Sequence, residues 1–134
     1  MRVRVFLFIE LRMMSASIRR LLGESGRALV VGESRDPGDS LEALRAARPD
    51  VVVLDGDRPE ELDPGLLAAI KRVCPGVRIL TLAFQLGERL LEIALARGVD
   101  GCVHKDSEPW ELLLGLEAVH RGTPYVSLAS YAPA

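Results

Sequence analysis

Glu10, Asp55, Asp57 and Lys105 each stand within three residues of the end of a short apolar run. Three acids around one point repel one another unless a cation lies between them. Oxygen ligands favour Mg²⁺, which takes a few carboxylates and keeps waters and a phosphate oxygen. A carboxylate beside such an ion can attack a phosphoryl group and become an acyl phosphate. An ammonium in the same place pairs with the phosphoryl oxygens. Glu10, Asp55 and Lys105 therefore read as a phosphoryl-accepting set, with Asp57 either a further metal ligand or a turn residue before Arg58-Pro59. One such residue alone reads as a solvated loop position or a helix cap. Three at corresponding strand ends outweigh that reading.

These side chains converge only if the runs before them are neighbouring strands. The runs at 3–9, 28–31, 51–54, 77–82 and 101–103 start at intervals of 23 to 26 residues, about one βα unit. They are Val-rich and near-continuous, as strands buried on both faces of a parallel sheet read. Stripes of helical period fill the gaps. Met14, Ile18, Leu21 and Leu22 precede Gly23, and Leu41, Leu44 and Ala47 lie between Asp39-Ser40 and Pro49. Leu66, Leu67, Ile70, Val73 and Cys74 end at Pro75-Gly76. Leu90, Leu91, Ala94 and Leu95 end at Gly98, and Leu112, Leu113, Leu116 and Val119 lie between Pro109 and Gly122. Five strands alternating with five helices predict an α/β, doubly wound, five-stranded parallel sheet of order 2-1-3-4-5, flavodoxin-like. The domain spans 1–122, and 123–134 reads as a tail or the start of a linker. In that strand order the crevice lies beyond the carboxyl ends of strands 1 and 3. Glu10 and Asp55-Gly56-Asp57 fall there, within reach of Lys105 after strand 5.

Composition narrows the classes. The chain has 134 residues, 49% hydrophobic and 27% charged, which fits one domain with its own core and excludes a disordered or low-complexity chain. A net charge of −2 excludes binding to nucleic acid through bulk charge. Cys74 and Cys102 are too few for a disulfide framework or a zinc site. No apolar run reaches membrane-spanning length and no signal peptide is visible, so a cytoplasmic protein is expected.

The run Pro49-Asp50-Val51-Val52-Val53-Leu54-Asp55 with Pro59 resembles the phosphoacceptor strand and loop of CheY-like receiver domains of two-component response regulators. Gly98-Val99-Asp100-Gly101-Cys102-Val103-His104-Lys105-Asp106 is similar to the family's lysine-bearing stretch. Lys105-Asp106, with the helix from Glu111 to Arg121 and its exit Gly122-Thr123-Pro124-Tyr125, resembles the NarL/LuxR-type subfamily. The resemblance implies Asp55 as phosphoacceptor, Lys105 as the phosphate-pairing lysine, Glu10 as the second acid of a Mg²⁺ pair and a sensor histidine kinase as partner. It also implies transcription regulation through a C-terminal helix-turn-helix domain that is not in this sequence. Three positions depart from the pattern. Ile9 replaces the first metal acid, Ala83 the hydroxyl residue ending strand 4, and Cys102 the switching aromatic of strand 5. Thr81 could substitute in part for the missing hydroxyl, although register argues for the sheet interior. Weak Mg²⁺ binding and a muted response to phosphorylation are expected.

Two other functions compete: a phosphate-independent pseudo-receiver used for protein binding or dimerisation, and a haloacid-dehalogenase-like phosphatase suggested by Asp55-Gly56-Asp57. The second lacks room for a cap and has its acids after the third strand instead of the first, so no enzyme is expected. His104 and His120 lack a third ligand; His104 reads as a partly exposed filler and Cys102 as a buried small hydrophobe. Met13-Met14 read as core filling or a gate over the crevice, and Trp110 as an interface anchor or half-buried packing. Apolar excess on helix 4 predicts a homodimer through helix 4, strand 5 and helix 5, or through helices 1 and 5.

Overall fold

The computed structural model describes residues 2–84 and 87–127. Its elements are β1 (Val3–Phe8), α1 (Arg12–Ser25), β2 (Ala28–Ser34), α2 (Leu41–Ala47), β3 (Val51–Asp55), α3 (Pro64–Val73), β4 (Arg78–Ala83), α4 (Glu88–Ala96), β5 (Gly101–His104), α5 (Pro109–His120) and β6 (Tyr125–Val126). A 3₁₀ turn, Pro59–Leu62, joins β3 to α3. The strands form one sheet of order β2-β1-β3-β4-β5-β6, every pair parallel.

The sixth strand corrects the expected count of five. Tyr125 and Val126 pair with Gly101 and Cys102, in a stretch assigned from sequence to the tail. Two residues after Thr123-Pro124 are too short to show a period, and contacts rather than pattern hold them. The Tyr125 hydroxyl donates to the Glu111 carboxylate at 3.0 Å, and the Ser127 hydroxyl donates to it at 2.9 Å. The remainder of the expected tail, 128–134, lies outside the described residues.

Side chains alternate across each strand and build two cores. Val5, Leu7 and Ile9 pack with Ile18 and Leu22 of α1 and with Leu112, Leu116 and Val119 of α5. Phe6, Phe8, Val52, Leu54 and Cys102 pack with Leu44 of α2, Leu67 and Ile70 of α3 and Ala94 of α4. Burying the sheet on both faces is why its strands read as continuous apolar runs.

Helix ends follow backbone geometry more than composition. Gly23 does not stop α1; the chain leaves the helix at Gly26, whose φ of 70° suits a residue without Cβ. At Gly101 the need is space. A Cβ there would lie 2.7 Å from Val119 Cγ1 and 3.1 Å from the Tyr125 carbonyl, so α5 and β6 can sit close against β5. Among the described residues no helix is long and apolar enough to cross a membrane.

Candidate functional site

The ladder continues past the strand ends and carries the site residues with it. Gly56 N–H donates to the Leu82 carbonyl at 2.8 Å, and Lys105 N–H to the Ala83 carbonyl at 2.7 Å. Those two bonds fix the exits of β3 and β5 on either side of β4. Asp55, Asp57 and Lys105 are thereby gathered at the carboxyl edge of the sheet, beside the β1/β3 boundary where strand order reverses.

Lys105 is the hub. Its Nζ lies 2.9 Å from Asp55 Oδ1 and 2.5 Å from Asp57 Oδ2, with only 5% of the side chain exposed. Each carboxylate gives its other oxygen to a backbone N–H. Glu10 N–H donates to Asp55 Oδ2 at 3.0 Å, and Phe84 N–H donates to Asp57 Oδ1 at 2.5 Å. The exposed Phe84 ring covers the cluster, its centroid 4.9 Å from Nζ. Burial works against the ammonium, but hydrogen bonds to Asp57 and Asp55 and the charges behind them outweigh it. The Lys105 pKa is held above its ordinary 10.5, so the lysine stays charged throughout the neutral range.

The four residues singled out from sequence do not all contribute as side chains. Asp55, Asp57 and Lys105 meet directly, whereas Glu10 is exposed and enters through its backbone N–H. Arg35 Nε donates to the Glu10 carbonyl at 3.0 Å and steadies that turn. Ile9, 2% exposed, is part of the core beneath α1 and α5. Ala83 and Cys102 are both fully buried on the opposite face. Thr81 is 1% exposed, its hydroxyl donating to Cys102 Sγ at 3.3 Å, which places it in the sheet interior. His104 Nδ1 accepts from Asp106 N–H at 3.0 Å and closes the turn after β5.

Two participants were not picked out from sequence. Phe84 supplies a donor and a cap; an aromatic directly after β4, facing the loop after β3, was the available signal. Arg97, at the end of α4, donates to the carbonyls of Pro59 at 2.7 Å and Leu62 at 3.0 Å, anchoring the 3₁₀ turn below Asp57. Nothing in its sequence setting marks it.

A divalent cation does not fit this donor set. Ile9 offers no oxygen, Glu10 turns its carboxylate to solvent, and Lys105 already pairs with both remaining acids. Among the described residues no three His, Cys, Asp or Glu side chains gather as a metal set. Beside the cluster, between α1 and α5, lies a groove of about 440 Å³ floored by Met14, Ile18, Leu82, Val103 and Leu112, with Lys105 in its wall. Met14 thus lines the groove, while Met13 is 86% exposed.

No family model matches the sequence. Over 120 residues, 90% of the chain, it is 30% identical to the DNA-binding transcriptional activator DevR/DosR of Mycobacterium tuberculosis, covering 55% of that protein. The chain thus spans about half the length of that relative. Among solved structures, a LuxR-family two-component response regulator from Aurantimonas sp. SI85-9A1 superposes with a TM-score of 0.84 at 27% identity, covering 96% of this chain and 92% of that one. The signal receiver domain of a NarL response regulator from Mycobacterium tuberculosis superposes at 0.78 with 29% identity, covering 90% and 98%. With its sheet order, its strand-end Asp and Lys and these relatives, the chain has the CheY-like receiver fold, and the proteins it is similar to are response regulators of the NarL/LuxR type.

Proposed function

We propose that this receiver accepts a phosphoryl group on Asp55, weakly, and serves a cytoplasmic transcription regulator whose output domain follows it in the full protein. The observation that carries this reading is the 2.9 Å pairing of Asp55 with the buried Lys105 at the switch point of the sheet. In the step itself an Asp55 carboxylate oxygen forms the new bond to phosphorus, and the donor group leaves with the electrons of the bond that breaks. The Lys105 ammonium pairs with the transferred oxygens. A sensor histidine kinase is the donor expected for such a site. The weak Mg²⁺ binding expected from sequence is no part of this reading, because Lys105 already pairs with Asp55 and Asp57. Incubation with acetyl phosphate, followed by intact mass, tests it: a phosphoryl adduct in the wild type and none in Asp55→Asn supports the reading, and no adduct under any condition counts against it.

A second reading is favoured by Ala83 and Cys102. A phosphoryl group shifts an equilibrium only through contacts that differ between two states. Ala83 has no hydroxyl to be drawn in, and Cys102 has no ring to swing into vacated space. On this reading the protein-binding surface keeps one form whether Asp55 is modified or not. Amide shifts confined to the crevice on modification support it, and shifts spreading over α4 and β5 contradict it.

A further inference from the structure

A carboxylate and a tetrahedral oxyanion ask for the same partners, a cation and backbone N–H groups aimed at their oxygens. Asp57 has both, one on each oxygen, at 2.5 Å from Lys105 Nζ and 2.5 Å from Phe84 N. An acid serving its own turn would accept from an N–H one or two residues on. Asp57 instead reaches across to β5 and to the exit of β4. The ammonium it holds also touches Asp55 Oδ1, so any anion attached to Asp55 would meet the same donor.

We propose that Asp57 is an internal occupant of the oxyanion seat: its carboxylate holds the ammonium and the backbone N–H that a phosphoryl group on Asp55 would otherwise take. The proposal deepens the phosphoacceptor reading and, for its consequence, rests on it. Accepting a phosphoryl group then requires Asp57 to release Lys105 and Phe84, because two anions cannot share one pair of donors without strong repulsion. Asp57 is accordingly a positioning residue that sets how readily Asp55 is modified. It also keeps the Phe84 backbone N–H aimed at the cluster, where an anion on Asp55 would otherwise have to draw it.

The test compares the wild-type chain with Asp57→Ala and Asp57→Asn, using beryllofluoride as the phosphoryl-like probe and amide spectra as the readout. Without the probe, the Phe84 amide proton is expected to move upfield in Asp57→Ala and to exchange faster with solvent. Beryllofluoride is expected to bind Asp57→Ala at least ~tenfold more tightly than the wild type, the scale of one charge-assisted hydrogen bond. Asp57→Asn, which keeps the size without the charge, should fall between them and covers the case in which alanine disturbs the loop. Equal affinity in all three proteins overturns the proposal. If the probe binds none of them, the Phe84 amide and the Lys105 ammonium resonance decide. Movement of both on substitution upholds the hold of Asp57 on its donors and turns the missing affinity against Asp55 as acceptor, while no movement overturns the proposal.

Discussion

At the scale of single residues, Lys105 neutralises one of two acids that face each other across it. Removing an ammonium from a cluster in which it is 5% exposed leaves Asp55 and Asp57 apposed with no cation between them. Lys105→Met should therefore destabilise the fold by roughly 2–4 kcal/mol, a little below the ~3–5 kcal/mol for breaking one side of a fully buried ion pair, because the Asp57 side chain stays 30% exposed. Adding Asp57→Asn should recover part of that loss, because the repulsion it relieves exists only when the lysine is gone. Urea unfolding of the two single variants and the double variant measures both effects. A loss under ~0.5 kcal/mol for Lys105→Met would mean that the cluster behaves like an exposed surface pair. Strand-end positions made Asp55 and Lys105 legible from sequence, since periodicity locates where a strand stops. They could not show that Glu10 would turn its carboxylate outward, because the first residue of a turn is placed by backbone geometry. Asp57 was legible as chemically able and illegible as to partner. Phe84 belonged to no motif.

At the scale of elements, the least expected piece is also the smallest. β6 is held by a cluster in which Glu111 of α5 receives the hydroxyls of Tyr125 and Ser127. Burial raises the Glu111 pKa, but hydrogen bonds from Ser127, Tyr125 and Ser107 together bring it below its ordinary 4.5. This contribution to stability is present above that value and is lost as pH falls through the lower, folded one. Tyr125 runs the opposite way. Burial, then its bond to Glu111 and the charge there, push it up to about 12. Its contribution is present below 10.0 and lost as pH rises toward 12. A Tyr131→Phe background leaves Tyr125 as the single phenol. Phenolate absorbance should then titrate near 12, and near a lower value once Glu111→Gln removes the carboxylate. An unchanged midpoint would remove Glu111 as the holder of β6. The five longer strands and five helices could be read in advance from period and punctuation; this strand could not, because it is held by Glu111 and Ser107, two side chains from other parts of the fold.

At the scale of the whole molecule, apolar surface is distributed differently from the sequence pattern. The excess on α4 is largely absorbed: Leu90 and Leu91 pack against the core, leaving Leu95 45% exposed. α5 presents Trp110 and Leu114, one helical turn apart, 57% and 41% exposed. Trp110 adjoins Pro109, which lines the groove between α1 and α5. A homodimer through helices 1 and 5 is accordingly the expected association. Sedimentation at tens of micromolar should show dimer in the wild type and monomer in Trp110→Glu, while Leu95→Glu changes little. The reverse pattern would move the interface to α4.

The Asp55–Lys105–Asp57 cluster has a consequence for how the protein responds to its surroundings. A dissolved cation stabilises a fold by mass action, in proportion to its concentration over its dissociation constant. A cation tethered by the chain acts at an effective concentration that neither dilution nor a chelator can lower. Here the tether is the β4–β5 pairing, which presents the Lys105 ammonium within 2.9 Å of both acids. The thermal midpoint should therefore be the same in excess Mg²⁺ and in excess chelator. It should become responsive to Mg²⁺ when Lys105→Met removes the tethered cation. On that outcome the charge balance of the site is inherited with the chain and not drawn from its surroundings.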